Sequence, residues 1–252
     1  MNKRKAFEAL KRLRNRLRPK DERPSCSAVI VAAGSSQRMG SDKLLADLEG
    51  EPVLARTLAA FQRSELVDEI VVVTRTEKIR QVADLCKEHG FDKVSKVISG
   101  GKTRMESSLA GVSEVRPSAK LIAIHDGARP LITQELIART VMAAHDHLSA
   151  VPVVPSTDTL KNVDDRGGIT GSADRSHIVR VQTPQVFTAD LIKGALTDAV
   201  KRELPLTDDC SAMERMGVTT QTVPGDEENI KITTPWDLDV ARAILKGRLS
   251  KA

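Results

Sequence analysis

Five short apolar runs, separated by segments of helical period, constrain this chain more than any other feature. They are Ala28–Val31, Ile70–Val73, Val94–Ile98, Leu121–Ile124 and Ala150–Val154. Runs this short and this rich in Val and Ile suit strands buried on both faces. Between them, Pro52–Phe61 places Val53, Leu54, Thr57, Leu58 and Phe61 on one helical stripe, with Pro52 in its first turn. Glu77–His89 is a second helical segment, closed by Gly90, and Thr103–Val112 and Gln134–His147 follow. The alternation predicts an α/β fold with a mostly parallel sheet covered on both faces. Ligands of such sheets sit beyond the carboxyl ends of the strands.

The alternation breaks between Pro155 and Thr183. Asp164-Asp165-Arg166-Gly167-Gly168 is a turn there, and its flanks Thr157–Val163 and Ile169–Arg175 are expected to pair as an exposed hairpin. An exposed hairpin presents a strand edge to a partner chain. Helices are expected over Ala189–Lys201 and Thr207–Met216, and a strand over Thr219–Val223. Thr234 has the character of an N-cap, with Pro235 at the first helical position. Leu238, Ala241, Ile244 and Leu245 point that last helix inward.

The 252 residues suffice for one large domain, assigned to 25–252 with the hairpin arm at about 155–180. Aromatic residues are 2% and Tyr is absent, so platforms for stacking nucleobases are scarce. Residues 1–24 hold ten Lys/Arg and three Asp/Glu, a net +7. The rest therefore carries −2 of the total +5, and no nucleic-acid partner is expected of the body. Phe7, Leu10, Leu13 and Leu17 recur at helical spacing among the basic residues. A helix against anionic lipid or RNA and a solvated extension both fit, and the partner of this segment stays open. Pro19 and Pro24 make 18–24 a linker. Cys26, Cys86 and Cys210 show no metal or disulfide spacing, which fits a reducing cytoplasm. No apolar run reaches the ~20 residues of a membrane span, and no apolar core of a secretory signal follows the charged start.

Four charged motifs follow strands. Ala32-Ala33-Gly34-Ser35-Ser36-Gln37-Arg38-Met39-Gly40-Ser41-Asp42-Lys43 is a small-residue loop with two cations. Such a loop brings backbone N–H groups close to phosphate oxygens, and Arg38 and Lys43 supply charge. A solvated strand-to-helix loop is the alternative, and the spacing matches neither a Walker loop nor a dinucleotide fingerprint. Ser99-Gly100-Gly101-Lys102-Thr103-Arg104, continuing to Ser107, pairs close backbone approach with a helix start aimed at the same place. His125-Asp126-Gly127-Ala128-Arg129-Pro130 offers Asp126 to Mg²⁺ and Arg129 to a phosphate. A lone histidine at a strand end is more often structural than basic, so His125 is not assigned to catalysis. In Gly225-Asp226-Glu227-Glu228-Asn229-Ile230-Lys231, Asn229 or Asp226 is a candidate to complete a metal site and Lys231 to meet phosphate. An acidic cluster of this kind is otherwise a solvated turn.

These motifs occur together with Asp158-Thr159-Leu160-Lys161, Gln182-Thr183-Pro184-Gln185, Thr207-Asp208-Asp209 and Asn229-Ile230-Lys231-Ile232-Thr233. In this combination the chain resembles the 2-C-methyl-D-erythritol 4-phosphate cytidylyltransferases, from about Ala28 to Leu245. The resemblance implies a Rossmann-like nucleotidyltransferase fold and a homodimer joined through the hairpin arms. It implies CTP and 2-C-methyl-D-erythritol 4-phosphate as substrates and Mg²⁺ as cofactor. By position, Arg38, Lys43, Arg175 and Lys231 take catalytic roles, and Asp126 and Asn229 hold the metal. Ala32, Ala33, Gly34, Ser36, Gly100, Gly101, Ser107 and Gly127 fall on the nucleotide side. Asp126, Arg129, Thr159, Arg175, Thr183, Thr207 and Lys231 fall on the side of the sugar-alcohol phosphate, with Thr159 and Arg175 reaching the partner subunit's site.

The chain departs from the family in places. Ser36 stands where a glycine is usual, Lys102 where an acidic residue is common, and Asp42-Lys43-Leu44 where Pro-Lys-Gln is usual. The approach from Met39 to Lys43 is short, as in molybdenum-cofactor cytidylyltransferases. The expected reaction is attack of a phosphate monoester on the α-phosphorus of the triphosphate. The monoester's second pKa is ~6, so the reaction needs cations rather than a general base. A cytidylyltransferase for another alcohol phosphate, such as ribitol 5-phosphate, and a non-catalytic nucleotide-binding protein are the alternatives.

Overall fold

Alternate residues of the inner strands feed two separate cores. Ala28, Ile30, Ile70, Val72, Leu121 and Ala123 pack on one side of the sheet, and Val29, Val71, Val73, Ile122 and Ile124 on the other. This is why Ala28–Val31, Ile70–Val73 and Leu121–Ile124 are apolar at every position instead of every second one. The computed structural model describes residues 23–34 and 42–250. Ser36, Arg38 and the basic segment up to residue 22 lie outside the described residues.

Strands β1 (Cys26–Ala32), β4 (Val67–Thr74), β5 (Val94–Ser99) and β6 (Leu121–Asp126) form the parallel half of the sheet, in the order β5-β4-β1-β6. A two-stranded turn of β2 (Asp47–Leu48) and β3 (Glu51–Pro52) leads into helix α1 (Val53–Arg63). Helices α2 (Ile79–Glu88) and α4 (Gln134–His147) join α1 over the first core, and α3 (Arg104–Glu114) covers the second. Gly111 brings α3 tight onto the sheet. A Cβ there would stand 2.3 Å from Val29 Cγ1 and 2.7 Å from Val73 Cγ2.

Strand β7 (Ser149–Pro155) runs parallel to β6 but does not pair with it. Strand β11 (Gln185–Thr188) lies between them, antiparallel to both. Strand β10 (Val179–Val181) continues along β7, and β12 (Gln221–Pro224) pairs with β7 in parallel. The sheet is mainly parallel, as expected, but the sequence reading places no strand over 179–188 and so misses its two antiparallel strands, β10 and β11. The reason is local: Gln182, Thr183 and Pro184 interrupt the apolar pattern, and the Thr183–Pro184 peptide is cis.

The expected hairpin is present as β8 (Lys161–Val163) and β9 (Ile169–Ser172), antiparallel and separate from the main sheet. Gly167, at φ 80°, and the Asp164 carboxylate, which accepts from Gly168 N at 2.7 Å, close its turn. Val163 and Ile169 are 63% and 69% exposed on it. Helices α5 (Ala189–Lys201) and α6 (Asp209–Arg215) pack over the second core. Helix α7 (Pro235–Leu249) opens on a capping box between Thr234 and Asp237 and seats Leu238 and Ala241 in the first core. Among the described residues no helix is long and apolar enough to cross a membrane.

Candidate active site

Strand register brings the signal loops to one edge. Ala32 pairs with Thr74, Thr74 with Ser99, and Val31 with Asp126, so β1, β4, β5 and β6 all end at the same level. A cavity of about 350 Å³ opens there. Ala32, Ala33 and Gly34 line it from β1, Gly101 to Arg104 and Ser107 from the β5–α3 turn, Asp126 from β6, and Lys43 and Lys231 from two further loops. Among the described residues its lining holds four cations, Lys43, Lys102, Arg104 and Lys231, against one carboxylate, Asp126. A concave site with that excess attracts polyanions.

Asp126 is the electrostatic centre. Its carboxylate lies 2.9 Å from Lys231 Nζ, 3.5 Å from Arg129 Nε and 3.7 Å from Arg104 Nε. Burial works to raise its pKa, but Lys231, Arg104 and Arg129 overcome that and hold the carboxyl well below the usual carboxylate range. Lys231 is delivered by the segment after Asn229, whose Ile232 N donates to Ala128 O at 2.8 Å. Arg104 reaches across to Asp209, 2.7 Å from Nη2, on the otherwise buried first turn of α6. Burial works to lower the Arg104 pKa, and Asp209 and Asp126 outweigh it, so the guanidinium sits above its ordinary value.

Hydrogen bonds tie together the layer behind Asp126. Asp126 N donates to Thr183 Oγ1 at 3.1 Å, and Thr183 Oγ1 lies 2.9 Å from His125 Nδ1. His125 Nε2 lies 3.3 Å from Arg129 O. A carbonyl only accepts, so Nε2 carries the proton and the Thr183 hydroxyl donates to Nδ1. Burial pushes the His125 pKa down to about 3, so the ring is neutral. Thr183 is thereby placed behind Asp126 rather than on the cavity wall. Asn229 is also withdrawn from the wall. Its Nδ2 donates to Thr183 O at 2.9 Å, and its backbone carbonyl accepts from Arg129 Nη1 at 2.6 Å.

Gly100 and Gly101 serve packing first. A Cβ on Gly100 would stand 2.7 Å from Ala33 Cβ and from Ser107 Oγ, and one on Gly101 2.3 Å from Glu106 Cβ. The pair lets the β5–α3 turn settle against the β1 loop, and Gly101 N donates to Ser107 Oγ at 3.2 Å. Thr103 and Glu106 cap α3 reciprocally and leave its N-terminus facing the cavity. Gly127 packs similarly: a Cβ there would stand 3.2 Å from both Ala32 Cβ and Leu54 Cδ1.

The model of the 2-C-methyl-D-erythritol 4-phosphate cytidylyltransferase family matches residues 26–247. The chain belongs to this family. Proteins of that name from Caldanaerobacter subterraneus subsp. tengcongensis and Bacteroides fragilis are 40% and 42% identical to it over 227 and 221 residues. Each alignment covers 87% of this chain, and 98% and 99% of the respective relative. Among solved structures, 4-diphosphocytidyl-2C-methyl-D-erythritol synthase from Anaerococcus prevotii superposes with a TM-score of 0.79 at 29% identity. That superposition covers 88% of this chain and 96% of the other. The family defines an enzyme class, the nucleotidyltransferases, and the mixed sheet with its Rossmann-like half is the fold the family shares.

In this cytidylyltransferase the remaining expected residues among those described stand away from the cavity. Thr159 and Arg175 are exposed at the root of the arm, where Arg175 Nη1 donates to Thr157 O at 3.3 Å. Thr207 is exposed before α6, 3.2 Å from Ser211 Oγ. Arg104 is the residue to which the sequence reading gave no role. Its signal is its place in Gly100-Gly101-x-x-Arg104-x-x-Ser107, at the first residue of a helix that starts at the cavity. Among the described residues no group of three or more His, Cys, Asp and Glu forms a metal cage.

Proposed function

We infer that this enzyme transfers a cytidylyl group from CTP to 2-C-methyl-D-erythritol 4-phosphate, releasing pyrophosphate in the non-mevalonate route to isoprenoids. Family membership supports this reading, and the observation that carries it to these residues is the cation excess around Asp126 at the carboxyl edge of the sheet.

The two substrates are polyanions, and the barrier lies in bringing them together and stabilising the crowded transition state. Positioning and electrostatics do most of that work in phosphoryl-type transfers. Lys43 and Arg38 neutralise charge developing on the α-phosphoryl group and pyrophosphate. Lys231 and Arg129, steered by Asp126, hold the attacking phosphate. No side chain takes a proton: the monoester is already largely dianionic, and His125 is buried, neutral and bonded on both ring nitrogens. Thiol chemistry is closed too. Burial pushes Cys26 up to about 12 and Cys86 up to about 11, and raises Cys210 further.

Mg²⁺ fits the chemistry of the donor set, and Asp126 is the residue that would hold it. Such an ion is held by one or two carboxylates plus phosphates, and Asp126 is ionised at the cavity wall. Asn229 Oδ1, buried behind the wall without a hydrogen-bond partner, would have to turn toward Asp126 to serve as a second donor. When bound, the metal supplies charge neutralisation between the phosphates.

Homodimerisation through the arm fits the exposed Val163 and Ile169 and the exposure of Arg175. Three free, buried cysteines suit a cytoplasmic enzyme. Residues 25–252 then form one catalytic domain with residues 1–24 as an extension. Pyrophosphate release from CTP, measured across a panel of alcohol phosphates, tests the whole reading. Strong preference for 2-C-methyl-D-erythritol 4-phosphate is expected. Equal or better turnover of ribitol 5-phosphate overturns the substrate, and no release with any acceptor overturns the activity.

A further inference from the structure

The turn that carries Lys43 is pinned on both sides by residues with no part in the chemistry above. Asp42 O accepts from Leu45 N at 3.2 Å and Asp42 Oδ1 accepts from Leu44 N at 3.2 Å, which closes a tight turn with Lys43 inside it. On the far side Leu44 is 6% exposed in the first core, and its carbonyl accepts from Leu54 N at 2.9 Å. On the near side Asp42 Oδ2 lies 3.0 Å from Arg75 Nη2 and 3.6 Å from Lys78 Nζ, both just past the end of β4. A half-buried carboxylate held by two cations and one backbone amide has little freedom. Residues on either side of Lys43 thus fix the direction in which its side chain leaves the backbone.

We propose that Asp42, locked to Arg75 and Lys78, is a positioning residue that aims Lys43 at the triphosphate. The proposal rests on the reading that Lys43 acts on phosphate. It also gives a physical meaning to the residue before the lysine: an ion pair to the segment after β4 holds Asp42 where the family usually has a proline. A lysine set about 1 Å off its target loses much of its value, on the order of a hundredfold in rate at the extreme.

The test uses the full-length enzyme and the substitutions Asp42→Asn, Arg75→Ala, their combination, and Lys43→Ala. Asp42→Asn keeps the shape and the bond from Leu44 N but removes the charge. Expected for it is a fall in kcat of roughly ten- to a hundredfold, an unchanged KM for the sugar-alcohol phosphate and an unchanged Tm. Arg75→Ala falls less, because Lys78 still holds Asp42. The double variant equals Asp42→Asn alone, since both act through one contact. Amide hydrogen exchange at residues 43–46 should quicken in Asp42→Asn. Wild-type exchange there, wild-type kcat, or additive losses in the double variant overturn the positioning role. Wild-type turnover in Lys43→Ala overturns the reading beneath it and leaves the exchange result to judge the anchor by itself.

Discussion

Lys231 Nζ lies 2.9 Å from Asp126 Oδ2, although the two residues arrive on a loop and a strand far apart in the chain. Asp126 is buried and Lys231 is 38% exposed, so the pair joins the dry floor of the cavity to its open mouth. Asp126 draws three cations together, and even with Asp209 on Arg104 the cluster keeps one more positive than negative charge for substrate.

Asp126→Asn removes the organiser and leaves Arg104 and Arg129 facing one another. The expected cost in folding is about 2 kcal/mol, below that of a fully dry pair because water reaches Lys231 and Arg104. Urea denaturation measures it, and turnover should be lost beyond what the stability loss explains. The sign of the pH effect follows from the depressed folded pKa: Asp126 contributes stability above the unfolded value near 3.9, and loses it only as pH falls through the lower folded value. Its contribution is therefore flat through the neutral range.

His125 acts with the same sign in a window closer to neutral. Its folded pKa is pushed down to about 3, so between pH 6.5 and that value the unfolded chain binds a proton that the folded one refuses. Stability should fall with acidification in that window, at up to about 1.4 kcal/mol per pH unit. His125→Gln is less stable at pH 7 but should show a shallower slope between pH 6 and 4. An identical slope in the two proteins refutes the buried neutral ring.

Gly100 and Gly111 separate the site from the scaffold. A Cβ at Gly111 meets Val29 and Val73, so Gly111→Ala overpacks the sheet face and should cost about 1–3 kcal/mol. A Cβ at Gly100 meets Ala33 and Ser107, both at the cavity edge, so Gly100→Ala should raise the KM for CTP several-fold with a smaller change in Tm. Steady-state kinetics beside thermal melts distinguish them.

Much of the scaffold was legible because each signal was local. Thr133 accepts from Leu136 N at 3.2 Å and starts α4 where the apolar period begins, and Ala28–Val31 has no polar residue to set it on a surface. The expected helix from Thr207 starts later, at Asp209, because Asp208 is the cap and accepts from Ser211 N at 3.1 Å. β11 was illegible because its four residues follow a proline and its two neighbours, β6 and β7, are both remote in sequence. In the candidate site, charged residues after strands were visible by type and position. The role of Arg104 was not, since it comes from Asp126 and Asp209 on other elements. The Thr183 hydroxyl was expected to meet substrate, yet its bonds to Asp126 N and His125 are tertiary and leave no trace in spacing.

The arm yields the last prediction. Arg175 is exposed on its own subunit and absent from the cavity wall, whereas Lys43 lines it. If Arg175 completes the partner's site, Arg175→Ala raises the KM for the sugar-alcohol phosphate and leaves that for CTP unchanged. Lys43→Ala abolishes turnover in the site of its own subunit. Mixing the two variants under conditions of subunit exchange, assayed at a sugar-alcohol phosphate concentration far below the raised KM of Arg175→Ala, forms heterodimers with one site free of both substitutions. Random pairing then restores roughly a quarter of the wild-type activity. Restoration shows that each site draws on two chains. A mixture no more active than its components, with exchange verified by differently tagged subunits, places Arg175 and Lys43 in the same site of one chain or removes Arg175 from the reaction.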